Sequence, residues 1–228
     1  MFRSSIAVLA VAAALAPGLF AATEADKRLD AAADLVTDMM NASDKGIPQD
    51  LLNRSECVVL IPGLKQAAFV LGAKFGRGFA MCRRANGTGW TAPAAMRVEG
   101  GSVGFQIGAS EQDVLLLIMN ESGMKRLLAD KFTVGAEMTA AAGPLGRNAT
   151  AQTDAVMRAE MLSYSRSRGL FAGISLDGAT LRPDADANEE MYGKAITNKE
   201  IITTDVKAPA AADKLENLMD RNSVRKTK

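Results

Sequence analysis

The stretches CVVLIPGLKQAAFVLGAKFGRGFAMC, residues 57–82, and AAMRVEGGSVGFQIGASEQDVLLLIM, residues 94–119, decide the fold. Short apolar runs alternate here with Gly, Pro and Asn, and such spacing is typical of short strands in a curled antiparallel sheet or barrel. The runs are Cys57–Ile61, Ala67–Ala73, Gly78–Cys82, Ala94–Val98, Val103–Ile107 and Val114–Met119. The last run is apolar throughout, which predicts a central strand covered on both faces. The abundant glycines predict bulges or close backbone approaches in the sheet.

Helical patterns flank this strand-rich stretch. Residues 23–40 have apolar positions at helical spacing, ended by Gly46 and Pro48. Further helices are predicted at Glu121–Leu128, Ala185–Met191 and Ala211–Met219, strands at Phe132–Ala142 and Leu170–Leu176, and a turn at Asp177-Gly178, whereas Ala155–Tyr164 fits either helix or strand. No composition shift marks a second domain. We therefore predict a single α+β domain: a curled, mainly antiparallel sheet or partial barrel with N-terminal, middle and C-terminal helices.

The N-terminal residues have the pattern of a secretory signal peptide. Arg3 precedes an apolar stretch from Ile6 to Ala16, and small residues follow it. Eleven apolar residues are too few to span about 30 Å of hydrocarbon, so we expect cleavage after Ala21 or Ala22 rather than a permanent anchor. The predicted organisation is a signal peptide at 1–22, a domain at 23–205, and a C-terminal helix and basic tail at 206–228. The expected location is periplasmic or extracellular.

The chain contains two cysteines, Cys57 and Cys82. In an exported protein such a pair is a disulfide candidate, and a bond closing a loop of this length would stabilise the fold by about 3 kcal/mol. The alternative is two buried free thiols.

Composition argues against several classes of function. The chain has 27 Lys and Arg against 26 Asp and Glu, which speaks against a nucleic-acid binder. It has no histidine, which removes the usual base of a serine or cysteine nucleophile. Gly100–Gly104 matches the nucleophile-elbow pattern, but without histidine a glycine-rich hairpin turn is predicted. Asp184–Asn188 begins like a calcium loop and lacks its later ligands, so helix capping by Asp184 or Asp186 is predicted. We expect no enzyme activity, no metal and no cofactor.

Basic residues cluster in two places along the sequence. One interpretation is that these residues lie at solvated ends of hairpins. The other is that they contact anionic headgroups, which would contribute about 1 kcal/mol of binding free energy for each base near a membrane surface. Insertion of apolar groups into the membrane would have to add to this electrostatic attraction. The candidates for insertion are the N-terminal helix and exposed residues such as Phe75 and Phe171. The predicted headgroup contacts are Lys65, Lys74, Arg77, Arg83, Arg84, Arg166 and Arg168.

Three segments carry a family resemblance: GWTAPAAMRVEGGSVGFQIGAS at 89–110, AAGPLGRNATAQTDA at 141–155 and SYSRSRGLFAGISLDGATLRPDADAN at 163–188. They closely resemble the SYLF family, the lipid-binding or actin-regulating domains of eukaryotic SH3- and FYVE-containing adaptors, which also has stand-alone secreted bacterial members. The family's hallmark Ser-Arg-Ser-Arg-Gly-Leu-Phe-Ala-Gly is intact at Ser165–Gly173.

The resemblance implies a non-enzymatic phospholipid-binding module. Eukaryotic members are described as phosphoinositide binders that use a positively charged surface and an amphipathic N-terminal helix. Here the helix at 23–40 has five acids against two bases, and an exported protein would meet anionic bacterial lipids instead. We therefore expect a peripheral membrane protein of the cell envelope that binds anionic phospholipid. The alternative is a structural or protein-interaction module whose sheet edge pairs with an envelope protein partner.

Overall fold

Two long antiparallel strands dominate the computed structural model, which describes residues 22–42, 46–146, 158–167 and 169–223, without the side chains of 68–71 and 102–108. Strand β1 is Cys57–Cys82 and strand β2 is Ala94–Ile118. They pair along their whole length, from Cys57 opposite Ile118 to Ala80 opposite Ala94. We call this pair the ribbon.

The prediction of six short strands is wrong, because the glycines and Pro62 lie inside the two long strands. The two strands continue past these glycines and Pro62 because their pairing is irregular there. The register shifts between Ile61 and Leu64 and again between Phe69 and Leu71. The predicted hairpin turn at Gly100–Gly104 is also wrong, since this segment continues β2. The predicted bulges are confirmed.

The ribbon bends so far that the two ends of β1 meet. A Cβ atom on Gly78 would lie 1.9 Å from the carbonyl oxygen of Leu60, so only glycine allows these two parts of the strand to touch. A disulfide between Cys57 and Cys82 joins the same two ends, which confirms that prediction. The fold is therefore a curled sheet, as predicted.

Among the described residues, five shorter strands extend the sheet from β2. Strand β7 pairs with residues 96–100 of β2, and β5 pairs with residues 113–118, both antiparallel. Because β1 lies on the other side of β2, the apolar run that ends at Ile118 is central and buried on both faces, as predicted. The short strands are β3 Phe132–Thr133, β4 Ala140–Ala142, β5 Met161–Ser167, β6 Leu170–Gly173 and β7 Ala179–Pro183. Only β4 pairs in parallel among the described strands.

Helices cover the sheet near both termini and in the middle, which confirms an α+β domain. Side chains cap several of their N-termini: Thr23 and Thr197 form capping boxes with Asp26 and Glu200, and Asn120 accepts from the N–H of Gly123. The helices are α1 Glu24–Asn41, α2 Gln49–Arg54, α3 Glu121–Leu127, α4 Ala185–Tyr192, α5 Asn198–Thr203 and α6 Asp213–Asn222, with a 3₁₀ turn at Ala210–Ala212.

The apolar face of α1 is buried, because it packs on β1 and on α6. Leu29 and Val36 of α1 share a core cluster with Leu215 and Met219 of α6. The predicted insertion of this helix into a membrane would expose those residues, so the fold does not favour it. In the described part of the chain, no helix is long and apolar enough to cross a membrane. Residues 1–21 of the predicted signal peptide lie outside the described residues.

Candidate functional site on the ribbon

Residues 101–112 of β2 pair with β1 and with none of the other described strands. We define the ribbon midsection as residues 65–75 of β1 and residues 99–111 of β2, which pair from Lys65 opposite Glu111 to Phe75 opposite Glu99. Two of the predicted headgroup contacts, Lys65 and Lys74, lie here, exposed and half-buried respectively. Within the described ranges neither lysine forms an ion pair with a carboxylate.

Arg83 does not belong to an accessible cationic surface, and its prediction as a headgroup contact is wrong. Its side chain is buried, with the guanidinium carbon 3.8 Å from the centroid of the Trp90 ring. It donates to the carbonyl oxygens of Ser55 at 3.3 Å and Leu52 at 3.1 Å, and to that of Ser223. Arg83 thus ties the end of α2 to the end of α6.

The neighbouring Arg84 faces a cavity of about 440 Å³ between the β1–β2 loop and the end of α5. Its Nη2 atom lies 4.0 Å from Oε1 of Glu216, a loose ion pair at the surface. The cavity is lined by both polar and apolar side chains, among them Thr91, Met124 and Ile202. Arg84 therefore lies away from the ribbon midsection.

Arg166 is held between two acids from other elements. Its Nη2 atom lies 2.7 Å from Oδ2 of Asp113 on β2, and its Nη1 atom contacts Asp38 on α1. The sequence left open whether this arginine is exposed or paired with Asp154, Asp177 or Asp184; it is paired, but with two different acids. Arg168 lies outside the described residues.

A row of three arginines crosses the sheet beside the midsection. Arg77 on β1 is opposite Arg97 on β2, and Arg97 is opposite Arg182 on β7. Residues opposite one another on neighbouring strands point to the same face with Cβ atoms about 5 Å apart, so three like charges are brought together. We call these three residues the arginine row. Only Arg77 was among the predicted site residues, because register across three distant strands is not visible in the sequence.

Asp184 is buried between two members of the arginine row. Its Oδ1 atom lies 2.6 Å from Nη2 of Arg97, and its Oδ2 atom lies 3.2 Å from Nε of Arg77. Burial raises the pKa of Asp184, but the hydrogen bond and charge of Arg97 outweigh burial, so its pKa is below the usual range. Asp184 is the N-cap residue of α4 as predicted, but its side chain makes no capping hydrogen bond.

Two large apolar side chains are exposed in the described part of the molecule. Phe75, at the end of the midsection, is 47% exposed, and Leu170, at the start of β6, is 69% exposed. Phe171, also predicted as an insertion residue, is partly buried against the core. Phe75 lies two residues from Arg77 on the same strand and therefore shares its face.

A sequence profile described as "Ysc84: Las17-binding protein actin regulator" matches residues 99–222. An SH3 domain-containing protein of Schizosaccharomyces pombe is 37% identical over 177 residues, which is 76% of this chain and 41% of that protein. Protein YSC84 of Saccharomyces cerevisiae is 33% identical over 181 residues, 78% of this chain and 38% of that protein. SH3 domain-containing YSC84-like protein 1 of Homo sapiens is 31% identical over 181 residues, 79% of this chain and 52% of that protein.

The chain belongs to the Ysc84, or SYLF, family. It spans about two fifths to one half of the length of these curated relatives. The SYLF match extends to residue 222, which agrees with the burial of α6 in the core. The SYLF hallmark at Ser165–Gly173 forms the β5–β6 hairpin, and its first arginine is the one held by Asp113 and Asp38. Part of this hallmark thus has a structural role.

Proposed function

We propose that this chain is a non-enzymatic module that binds an anionic phospholipid surface through the ribbon midsection. The position of the exposed apolar side chains carries the proposal. Phe75 directly follows Lys74 on β1, so their side chains leave opposite faces of the ribbon and reach one surface only where the edge of the ribbon meets it. Leu170 begins β6 near the tip of the β5–β6 hairpin, and β5 separates it from the end of the midsection that contains Lys65.

This arrangement suits a membrane, which has anionic headgroups at its surface and apolar acyl chains beneath them. Lys65 and Lys74 would bind headgroup phosphates, each contributing about 1 kcal/mol near an anionic surface. Phe75 and Leu170 would insert at the boundary of the acyl chains, where burying a large apolar side chain contributes about 2 kcal/mol. Arg77, Arg84 and Arg166 are largely neutralised by acids, so they add less than the sequence suggested.

Vesicle flotation tests the proposal. The wild-type chain should float with vesicles of phosphatidylglycerol and phosphatidylcholine and remain at the bottom with phosphatidylcholine alone. The pair Lys65→Gln and Lys74→Gln should weaken binding about tenfold or more, and the pair Phe75→Ala and Leu170→Ala should weaken it similarly. The control pair, Lys125→Gln and Lys199→Gln, removes two exposed lysines from helices α3 and α5 and should leave binding unchanged. Equal flotation with neutral vesicles, or no effect of the Phe75 and Leu170 pair, would contradict the proposal.

A second candidate is a protein-interaction module that accepts an extended segment of a partner. Among the described strands, β1 between Leu64 and Phe75 pairs only with β2, so its other edge has free backbone groups for strand addition. The family description, which names Las17 binding, favours a protein partner as well. Absent vesicle binding, together with partner-dependent protection of the amides of 64–75 from hydrogen exchange, would favour this candidate.

We further propose that the chain is exported to the periplasm or the cell surface. The N-terminal sequence has the charge and apolar pattern of a signal peptide. The disulfide between Cys57 and Cys82 supports the proposal, because such bonds persist in oxidising compartments. Its test is the position of the N-terminus and the oxidation state of the two cysteines in the exported protein.

A further inference from the structure

The cavity of about 440 Å³ beside Arg84 has the volume of a small-molecule site. Three separate parts of the chain form its walls: the β1–β2 loop, helix α3 through Met124, and the end of α5 with the residues that follow it. None of the residues that line it belongs to the ribbon midsection. A ligand in this cavity would therefore leave the midsection free for a membrane.

Part of the cavity lining is apolar. Ala92 and Ile202 are buried, and Met124 is partly buried. The hydroxyl groups of Thr203 and Thr204, which also line the cavity, donate to carbonyl oxygens four residues earlier in the chain and are already satisfied. The lining thus offers an apolar surface to the body of a ligand.

Arg84 and Asp205 add charges of opposite sign to this lining. Within the described residues, the Arg84 side chain donates no hydrogen bond, and its contact with Glu216 at 4.0 Å is too long to use its N–H groups. Asp205 is exposed and forms no ion pair with a base of the described chain. The two side chains therefore line one cavity without pairing with each other.

The other charges near the cavity are also of both signs. Arg83 lines it as well, but its guanidinium stacks on Trp90 and donates to backbone carbonyls. Glu216 lies beyond Arg84; burial raises its pKa, the charge of Arg84 lowers it, and the charge of Asp220 raises it. A ligand with one sign of charge would meet a like charge here, whereas a ligand with both signs can pair each of its charges.

We propose that this cavity binds a small zwitterion with an apolar body. The carboxylate of the ligand binds the Arg84 guanidinium, which matches a carboxylate with two parallel N–H donors. The ammonium group of the ligand binds the Asp205 carboxylate, and its apolar part contacts Met124 and Ile202. A free apolar amino acid and a short apolar peptide share this chemistry. The inference goes beyond the proposed membrane binding and does not rest on it.

Methyl resonances measured by NMR test whether such a ligand binds in the cavity. The probes are leucine and leucyl-leucine, which carry the same two charges on apolar bodies of different size. At least one of them should shift the methyl signals of Met124 and Ile202 and leave those of Leu170, exposed on β6, unchanged. A response to one probe alone supports the inference and identifies which of the two sources fits. Absent shifts with both probes, or equal shifts at Leu170, would overturn it.

Blocked forms of the tighter-binding probe test each charge separately. The C-terminal amide lacks the carboxylate and the N-acetyl form lacks the ammonium group, so each should bind the wild type about tenfold more weakly than the free form. Arg84→Gln should bind the free form and the amide equally but still discriminate against the N-acetyl form. Asp205→Asn should show the reverse pattern. Equal binding of free and blocked forms by the wild type would overturn the inference.

Two substitutions on other elements are the matched controls. Arg182→Gln on β7 removes an arginine side chain that is 43% exposed, close to the 39% of Arg84. Asp186→Asn removes an exposed aspartate at the start of α4. Both should discriminate between free and blocked probes as the wild type does, and loss of discrimination in them would overturn the assignment to Arg84 and Asp205. Unchanged methyl signals outside the cavity show that each variant is folded.

Discussion

At the scale of single residues, buried polar partners decide which charges reach solvent. Arg83 is adjacent in sequence to Arg84, yet it satisfies carbonyl groups at the ends of α2 and α6, whereas Arg84 lies at the surface. Carbonyls at the C-terminal end of a helix lack the usual i+4 N–H partner, and Arg83 adds a donor to that of Leu52, which also accepts from Ser55. The partner residues are as distant in sequence as Ser223. A local charge count cannot reveal such contacts, and this is why the sequence predicted a headgroup role for Arg83.

Asp184 gives a residue-scale prediction for stability and its dependence on pH. Asp184→Asn should lower the free energy of unfolding at pH 7 by about 3 kcal/mol, because it leaves Arg77 and Arg97 without their buried counter-charge. The pKa of Asp184 is lower in the folded state than in the unfolded state, so its contribution is present above about pH 4 and lost as the pH falls through the folded value. The difference between wild type and variant should therefore shrink in acid.

Urea unfolding followed by fluorescence checks this, because the chain has one tryptophan, the buried Trp90. The control is Asp186→Asn, two residues away and 90% exposed, which should change stability by less than about 0.5 kcal/mol. Equal effects of the two substitutions would contradict the assignment of Asp184 as the counter-charge of the row.

At the scale of elements, the sequence predicts helices better than strand continuity. Capping residues and helical spacing locate α1, α3 and α4 within a few residues, because these signals lie inside the element. In the ribbon, Gly and Pro indicate breaks, but the pairing of β1 with β2 carries both strands through them with bulges. Local sequence is enough to select Lys65, Lys74 and Phe75 as candidate site residues. It is not enough to find the arginine row, since the row depends on the register between β1, β2 and β7.

Gly78 should be essential for the bend of the ribbon, and Gly101 should not. A Cβ on Gly78 would lie 1.9 Å from the Leu60 carbonyl oxygen, and neither strand segment can move without breaking its pairing with β2. Gly78→Ala should lower the free energy of unfolding by about 3 kcal/mol. A Cβ on Gly101 would have its nearest neighbour 3.8 Å away, so Gly101→Ala should change stability by less than about 1 kcal/mol. Thermal unfolding of both variants measures this; comparable losses would show that the contact does not limit the bend.

At the scale of the whole molecule, the 27 basic and 26 acidic residues nearly cancel, and several of them form ion pairs between elements. The acidic face of α1 contributes Asp38 to Arg166 and Asp34 to Lys214, at 2.9 Å in the second pair. Acids that seemed to weaken membrane binding by α1 thus pair with bases of β5 and α6. With little long-range field, binding to an anionic surface must depend on close contacts at the ribbon midsection.

Export would bring the N-terminal sequence and the disulfide into one account, because a signal peptide delivers the chain to a compartment where the disulfide persists. When the full chain is produced in a Gram-negative host, the periplasmic fraction should contain a protein shortened by residues 1–21 or 1–22, with Cys57 and Cys82 oxidised.

Reduction of this protein should lower its free energy of unfolding by about 3 kcal/mol, because the bond closes a segment with a sequence separation of 25 residues. Intact-mass measurement before and after thiol alkylation reports both changes, and urea unfolding with and without reductant measures the stability. The control, with Cys57→Ala and Cys82→Ala, should be exported but insensitive to reductant. Full-length protein confined to the cytoplasm with both thiols free would contradict the proposal.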